Sequence, residues 1–144
     1  MSWSPPPILL IFEICRGGVT LQGIRTNLRV SLTYLRSWLQ GRGAVAIDNL
    51  MEDAAAVEIS RMQLWQWIRH GAYTTSGERV TRDLVAGMLA EEAGRLRAET
   101  PDRDRWALEA ARDIVAYGCL RAEFPAFLTE YGYSRYLVHR ATAA

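Results

Sequence analysis

Apolar residues recur at helical spacing in four separate segments of this sequence, and no other feature restricts the possible folds as strongly. A spacing of three or four residues places side chains on one face of an α-helix, whereas a strand needs a spacing of two. The first helix is predicted from Asn27 to Gln40, with an apolar face formed by Leu28, Leu32, Leu35 and Leu39. Thr26 or Asn27 is a suitable N-cap, and Gly41 is a suitable residue just after the helix end.

The second helix is predicted to begin near Glu52 and to end near Arg69, before His70 and Gly71. Its apolar stripe contains Ala55, Ile59, Met62 and Trp65 or Gln66, and Ile68 extends it. The spacing predicts that these side chains share one face of the helix.

The third and fourth helices each follow a threonine. Thr81 is the predicted N-cap of the third helix, whose inner face contains Leu84, Val85, Met88, Leu89 and Leu96. Thr100 is the predicted cap of the fourth, since Pro101 suits the first helical position, where its missing N–H costs nothing. The stripe of that helix contains Trp106, Ala110, Ile114 and Tyr117.

The remaining segments are short. Ala44 to Leu50 is predicted to be an apolar connector, residues 71–80 a loop or a short hairpin, and residues 124–138 one or two final helices. Strand signals are weak throughout. The sequence therefore predicts an all-α fold, a small irregular bundle of about five helices.

The length of 144 residues suits one compact domain. Residues 1–18 combine three prolines, an apolar burst and two glycines without periodicity, and are predicted to be a poorly ordered lead-in to a helical domain over residues 19–144. A TIM barrel needs at least about 200 residues, so the 144 residues of this sequence contain no such barrel.

Charge and composition argue against several classes of protein. The formal net charge is +1, and all 17 basic residues are arginine, so no basic face for nucleic acid is indicated. A DNA-binding helix-turn-helix made of the second and third helices is a weaker alternative, which a lack of salt-dependent DNA binding would exclude. The apolar run from Ile8 to Phe12 is too short to span a membrane and has no signal-peptide pattern, so a cytoplasmic location is expected.

The two cysteines, Cys15 and Cys119, lie far apart and share no metal-ligand spacing with His70 or His139. A structural zinc site takes about four ligands. We therefore expect two free buried thiols in a reducing compartment and no metal site in this chain.

The stretch from Asn49 to Arg69 is the most specific part of the sequence. It contains a Leu-Met-Glu-Asp-Ala-Ala core ending at Ala55, then Glu-Ile-Ser-Arg ending at Arg61, then Trp-Gln-Trp-Ile ending at Ile68. This order resembles the start of the C-terminal domain of the shorter, A-type malate synthases. The resemblance covers roughly residues 19–138 and is looser after residue 90.

The resemblance implies a reaction and one catalytic residue. Malate synthases condense acetyl-CoA with glyoxylate, in the glyoxylate cycle, and hydrolyse the thioester to give malate and CoA. The family's catalytic aspartate is the one in Met-Glu-Asp, here Asp53, which acts as the acid/base. In the complete enzyme Mg²⁺ and its acidic ligands lie on a TIM barrel, so this chain alone is expected to hold no cofactor and to be inactive.

Other polar and aromatic residues are interpreted as structural. Without the motif, Asp53 or Glu52 would be interpreted as a helix cap, and Glu58 as the partner of Arg61 in a solvated i,i+3 salt bridge. His70 is expected to cap a helix end. One of Trp65 and Trp67 is expected in the core and the other toward the missing barrel. Arg25 and Arg29 could touch a substrate phosphate, but surface helix arginines are usually solvated.

Two functional hypotheses follow. The first is a malate synthase fragment, from a truncated or split gene, that carries the catalytic Asp53. The second is a non-catalytic helical module that docks on a barrel-bearing partner chain. Both predict an exposed apolar or aromatic patch on the side that bears Asp53.

Overall fold

The computed structural model describes residues 18–41, 45–47, 50–52, 54–123 and 127–138. Within these ranges the chain forms a bundle of five α-helices, which confirms the predicted all-α class. The lead-in predicted over residues 1–18 lies, apart from Gly18, outside the described residues. None of the described helices is both long enough and apolar enough to cross a membrane.

Helix α1 spans Leu21–Leu39 and is the centre of the bundle, packing against three of the other helices. It begins six residues before the predicted start, so the predicted caps Thr26 and Asn27 are wrong. The N-cap is Thr20, whose hydroxyl accepts a hydrogen bond from the Gly23 amide at 2.8 Å. The buried stripe accordingly extends back to Ile24, one turn before Leu28. The prediction for Gly41 is confirmed, because this residue has a φ of +95° just after the helix.

A short antiparallel hairpin follows α1 where only a connector was predicted. Strand β1 spans Val45–Ile47 and strand β2 spans Leu50–Glu52, with Val45 opposite Glu52 and Ile47 opposite Leu50. The sequence between the strands is Asp48-Asn49, two residue types that favour tight turns. β1 lies against α1, so the hairpin belongs to the bundle.

Helix α2 spans Ala54–His70, close to the predicted bounds, but only part of its predicted stripe faces the core. Ala55 and Ile59 are exposed, and Met62 is only half-buried. The buried positions of α2 are Val57, Arg61, Gln63, Leu64, Trp65 and Gln66. Of the predicted stripe, Ala55 and Ile59 at its N-terminal end face outward, whereas Trp65 and Gln66 are buried.

Residues 71–80 form the predicted short hairpin. The amide of Val80 donates to the Ala72 carbonyl at 2.7 Å, and the amide of Thr74 donates to the Glu78 carbonyl at 2.8 Å. Helix α3 then spans Arg82–Glu99, and its predicted N-cap is confirmed, because the Thr81 hydroxyl accepts from the Leu84 amide at 3.1 Å.

The predicted cap of the fourth helix is wrong. The Thr100 hydroxyl donates back to the Leu96 carbonyl at 2.5 Å, so Thr100 belongs to the end of α3. A 3₁₀ turn, Asp102–Asp104, follows Pro101, and only then does helix α4 begin, spanning Arg105–Cys119. Arg36 of α1 donates to the same Thr100 hydroxyl at 2.9 Å, which joins this corner to the centre of the bundle.

Two short elements close the described chain, as predicted. Helix α5 spans Leu128–Gly132, and a π-helical turn spans Tyr133–Leu137. The Tyr131 ring stacks on Tyr117 of α4 with centroids 3.8 Å apart. The hydroxyls of Tyr131 and Tyr136 donate to the same oxygen of Asp113 on α4, at 2.9 and 2.6 Å. The two final elements are therefore joined to α4 through their tyrosine side chains.

Candidate functional site

The predicted catalytic residue, Asp53, lies outside the described residues, but the chain on both sides of it is described. Strand β2 ends at Glu52 and helix α2 begins at Ala54. In sequence, Asp53 therefore lies between a hairpin whose first strand contacts α1 and a helix of 17 residues. Its role as an acid/base stays a prediction.

The first turns of α2 present an apolar face to solvent. Ala55 is exposed, Ile59 is 53% exposed and Met62 is half-buried, and their i, i+4, i+7 spacing places them on one side of the helix. Exposed apolar residues of this kind are ordinary when single, but a stripe on one helix face is typical of an interaction surface. We call Ala55, Ile59 and Met62 the outer stripe of α2.

Beside the outer stripe, the flank of α2 that meets α5 holds a buried ion pair, contrary to the solvated pair that was predicted. The guanidinium of Arg61 donates from Nε and Nη2 to one carboxylate oxygen of Glu58, at 2.8 and 2.7 Å. The side chain of Arg61 is 2% exposed and that of Glu58 is 13% exposed. The second oxygen of Glu58 accepts the backbone amide of Leu128 at 2.6 Å. The pair thus joins α2 to the first residue of α5, across 70 positions of sequence.

Two further polar contacts hold α2 in place. The Trp65 indole donates to the backbone carbonyl of Arg121 at 3.0 Å, and the Asn27 amide of α1 donates to the Gln63 side-chain oxygen at 3.1 Å. Trp65 is buried, as one of the two tryptophans was predicted to be, whereas Trp67 is half-buried against the core. Polar contacts therefore join α2 to α1 and to the segment after α4, in addition to apolar packing.

The other candidate residues have structural surroundings. Arg25 donates to Glu92 at 3.0 Å and to Glu91 at 3.1 Å on α3, and these hydrogen bonds raise the pKa of Arg25. Its side chain therefore links α1 to α3, whereas Arg29 is exposed on α1. His70 is the last residue of α2, which agrees with a position at a helix end.

Cys119 is a buried free thiol, as predicted, and Cys15 lies outside the described residues. Burial raises the pKa of Cys119 to about 12, although the nearby Arg61 guanidinium acts in the opposite direction. Among the described residues, no three His, Cys, Asp or Glu side chains are grouped closely enough to hold a metal ion.

Two clefts lie away from this region. One, of about 310 Å³, lies between the end of α1 and the 3₁₀ turn, and its lining includes Arg36 and Asp104. The other, of about 390 Å³, lies between α3 and α4 and is lined in part by Ala93 and Leu108. Neither cleft contains a residue that the sequence singled out for chemistry.

Fold and flanking geometry define a class of protein, an all-α helical domain in which the Met-Glu-Asp motif begins in the second strand of a β-hairpin and is followed at once by an anchored helix. Residues 18–136 match the family model described as malate synthase, C-terminal. The chain belongs to this family of malate synthase C-terminal domains.

Individual relatives agree with this assignment. The chain is 44% identical over 135 residues to the glyoxysomal malate synthase of Zea mays. The match covers 90% of this chain and 24% of the relative. It is 43% identical over 122 residues to the malate synthase of Myxococcus xanthus, covering 83% of this chain and 22% of the relative. The chain therefore spans about a quarter of the length of the curated relatives that it matches.

Proposed function

We propose that this chain supplies the catalytic aspartate, Asp53, and the cap of a malate synthase active site whose barrel is provided elsewhere. The observation that carries this proposal is the family match over residues 18–136, which includes the whole Met51-Glu52-Asp53 motif. The reaction proposed is the family's condensation of acetyl-CoA with glyoxylate.

The chemistry explains why a carboxylate is needed. The methyl group of a thioester is a very weak acid, so the base must be held close to it and the enolate charge must be stabilised. Asp53 would remove the methyl proton. An arginine and a magnesium ion held by acidic residues of the barrel would supply the positive charge.

A barrel cannot be formed from 144 residues. In this proposal it is part of another chain or of a longer polypeptide. The outer stripe of α2 supports a docking role because its exposed apolar surface begins two residues after Asp53. Phe127, which is 67% exposed and directly precedes the amide that Glu58 binds, offers a second apolar contact.

The second hypothesis, a non-catalytic module that docks on a barrel-bearing partner, uses the same surface. The outer stripe favours it, because docking alone requires exposed apolar residues and no acid. The two hypotheses differ in Asp53: the module needs Ile59 for binding but does not need the carboxylate.

The test joins this full chain to a barrel. The part of the Myxococcus xanthus malate synthase that matches this chain is replaced by the 144-residue chain, and thiol release is measured with acetyl-CoA, glyoxylate and Mg²⁺. We expect D53N to lower kcat by about 10²- to 10⁴-fold, the usual contribution of a general acid or base. The matched control is E52Q, which removes the neighbouring carboxylate and should leave kcat within a few-fold.

An active fusion in which D53N retains full kcat would contradict the catalytic proposal and favour the docking module. The isolated chain should release no thiol under the same conditions. Activity of the chain by itself would show that no barrel is required. I59E should weaken association with a barrel lacking its own C-terminal region under both hypotheses.

A further inference from the structure

We infer that Glu58 and Arg61 form a positioning unit that fixes the start of α2, and with it Asp53, by holding α2 against the first turn of α5. This inference rests on the proposed function of Asp53. Neither residue is a candidate for contact with substrate, because Arg61 is 2% exposed and Glu58 is 13% exposed on the bundle side of α2.

Both oxygens of the Glu58 carboxylate accept hydrogen bonds in this unit. One oxygen accepts both Arg61 bonds, and the other accepts the Leu128 amide at 2.6 Å. Leu128 is the first residue of α5, where backbone amides have no partner within the helix. Glu58 therefore caps α5 from a different helix, and the guanidinium fixes the rotation of the carboxylate.

Stability alone does not explain a charged pair at this place. Replacing a buried ion pair with apolar residues of similar volume is often neutral or stabilising. The same helix keeps apolar side chains, those of the outer stripe, on its exposed side. Hydrogen bonds are directional, whereas apolar contacts are not. The Glu58–Arg61 pair can therefore set one rotation of α2 about its axis and one distance between α2 and α5.

The effect on Asp53 follows from helix geometry. Glu58 lies four residues after Ala54, about one turn of helix, or roughly 6 Å along its axis. A rotation or tilt at Glu58 is therefore transmitted along the helix to Ala54, the residue that follows Asp53 in the sequence. A displacement of a reacting group by about 1 Å can cost around 100-fold in rate.

The test uses the fusion described above and compares two double variants. E58L/R61M removes the charges and the acceptor for the Leu128 amide. E58Q/R61M removes the same charges but keeps a side-chain oxygen that can accept this amide. We expect E58L/R61M to lower kcat by about 10- to 100-fold with an unchanged KM for acetyl-CoA, and E58Q/R61M to recover most of the loss.

A control for general destabilisation is R25M/E92L, which removes another ion pair between helices, that of the half-buried Arg25 on α1 with the buried Glu92 on α3. It should lower the melting temperature without a matching change in kcat. In the 144-residue chain, slow hydrogen exchange of the Leu128 amide should persist in E58Q/R61M and be lost in E58L/R61M, and this readout does not depend on activity.

Full kcat in E58L/R61M would overturn the inference, and so would an equal loss of kcat in E58Q/R61M. Should E58L/R61M fail to fold in the fusion, the exchange rate of the Leu128 amide in E58Q decides: fast exchange there contradicts the cap. An unchanged kcat in D53N would instead contradict the proposed function, whatever kcat values the two double variants have.

Discussion

The indole N–H of Trp65 donates to the backbone carbonyl of Arg121, at 3.0 Å, and so joins the middle of α2 to the segment that follows α4. W65F keeps a ring in the core but removes the only donor of the indole. We expect a loss of about 1 kcal/mol in the free energy of unfolding, measured by urea denaturation. W38F, which also replaces a tryptophan by phenylalanine at the bundle, is the matched control for the change in ring size. An equal loss in both variants would assign the effect to packing.

Gly118 is expected to tolerate no side chain. A Cβ there would overlap the Leu128 side chain, where α5 packs on α4. G118A should therefore destabilise the protein by about 1–3 kcal/mol, the usual cost of overpacking a core. Gly87 of α3 has nothing within 4 Å of its built Cβ, so G87A should stabilise by about 0.5–1 kcal/mol. Thermal denaturation of both variants tests these two predictions. A change of melting temperature in the same direction for both variants would contradict them.

The hairpin at residues 71–80 should weaken in acid. Hydrogen bonds from the hydroxyls of Ser76 and Thr74, each 2.6 Å long, lower the pKa of Glu78 from 4.5. A lowered folded-state pKa stabilises the protein fully above 4.5, and this contribution is lost as the pH falls through the lower value. Carboxyl carbon shifts recorded during an NMR titration should show this pKa, and S76A should raise it toward 4.5. No change in S76A would contradict the assignment.

Cys119 should be inert in the folded protein. It is buried, and burial raises its pKa to about 12, so little thiolate exists at neutral pH to react with alkylating reagents. In a C15S background, iodoacetamide should label Cys119 only after denaturant is added. Labelling at the rate of a free thiol in native buffer would show that the α4 core opens readily.

Helix caps and helix ends that depend on adjacent residues were predicted best from the sequence. The Thr81 cap and the glycine after α1 depend only on neighbouring residues, so their signals lie within a few positions. The start of α1 was missed because Thr20 is followed closely by Gly23, which weakens a helical pattern. Thr100 was misassigned because a threonine before proline fits both a helix end and a helix start.

The orientation of α2 could not be predicted, because periodicity identifies a stripe but not the side on which the core lies. The i,i+3 spacing of Glu58 and Arg61 was visible, but their third partner, Leu128, lies 70 positions away. No local pattern predicts a contact over that distance. The Met-Glu-Asp motif identified the family correctly, while the catalytic role of Asp53 still depends on the kcat of D53N.

The outward-facing apolar residues of α2 also mean that solubility and assembly place opposite demands on the same surface of this protein. Polar replacements at Ile59, which is half-exposed, would improve solubility and reduce self-association of the isolated protein. If the proposed docking on a barrel is correct, the same replacements would also remove the contacts that the assembled enzyme needs. Selection for expression yield would therefore favour variants that have lost assembly, and a screen on this chain should measure complex formation alongside solubility.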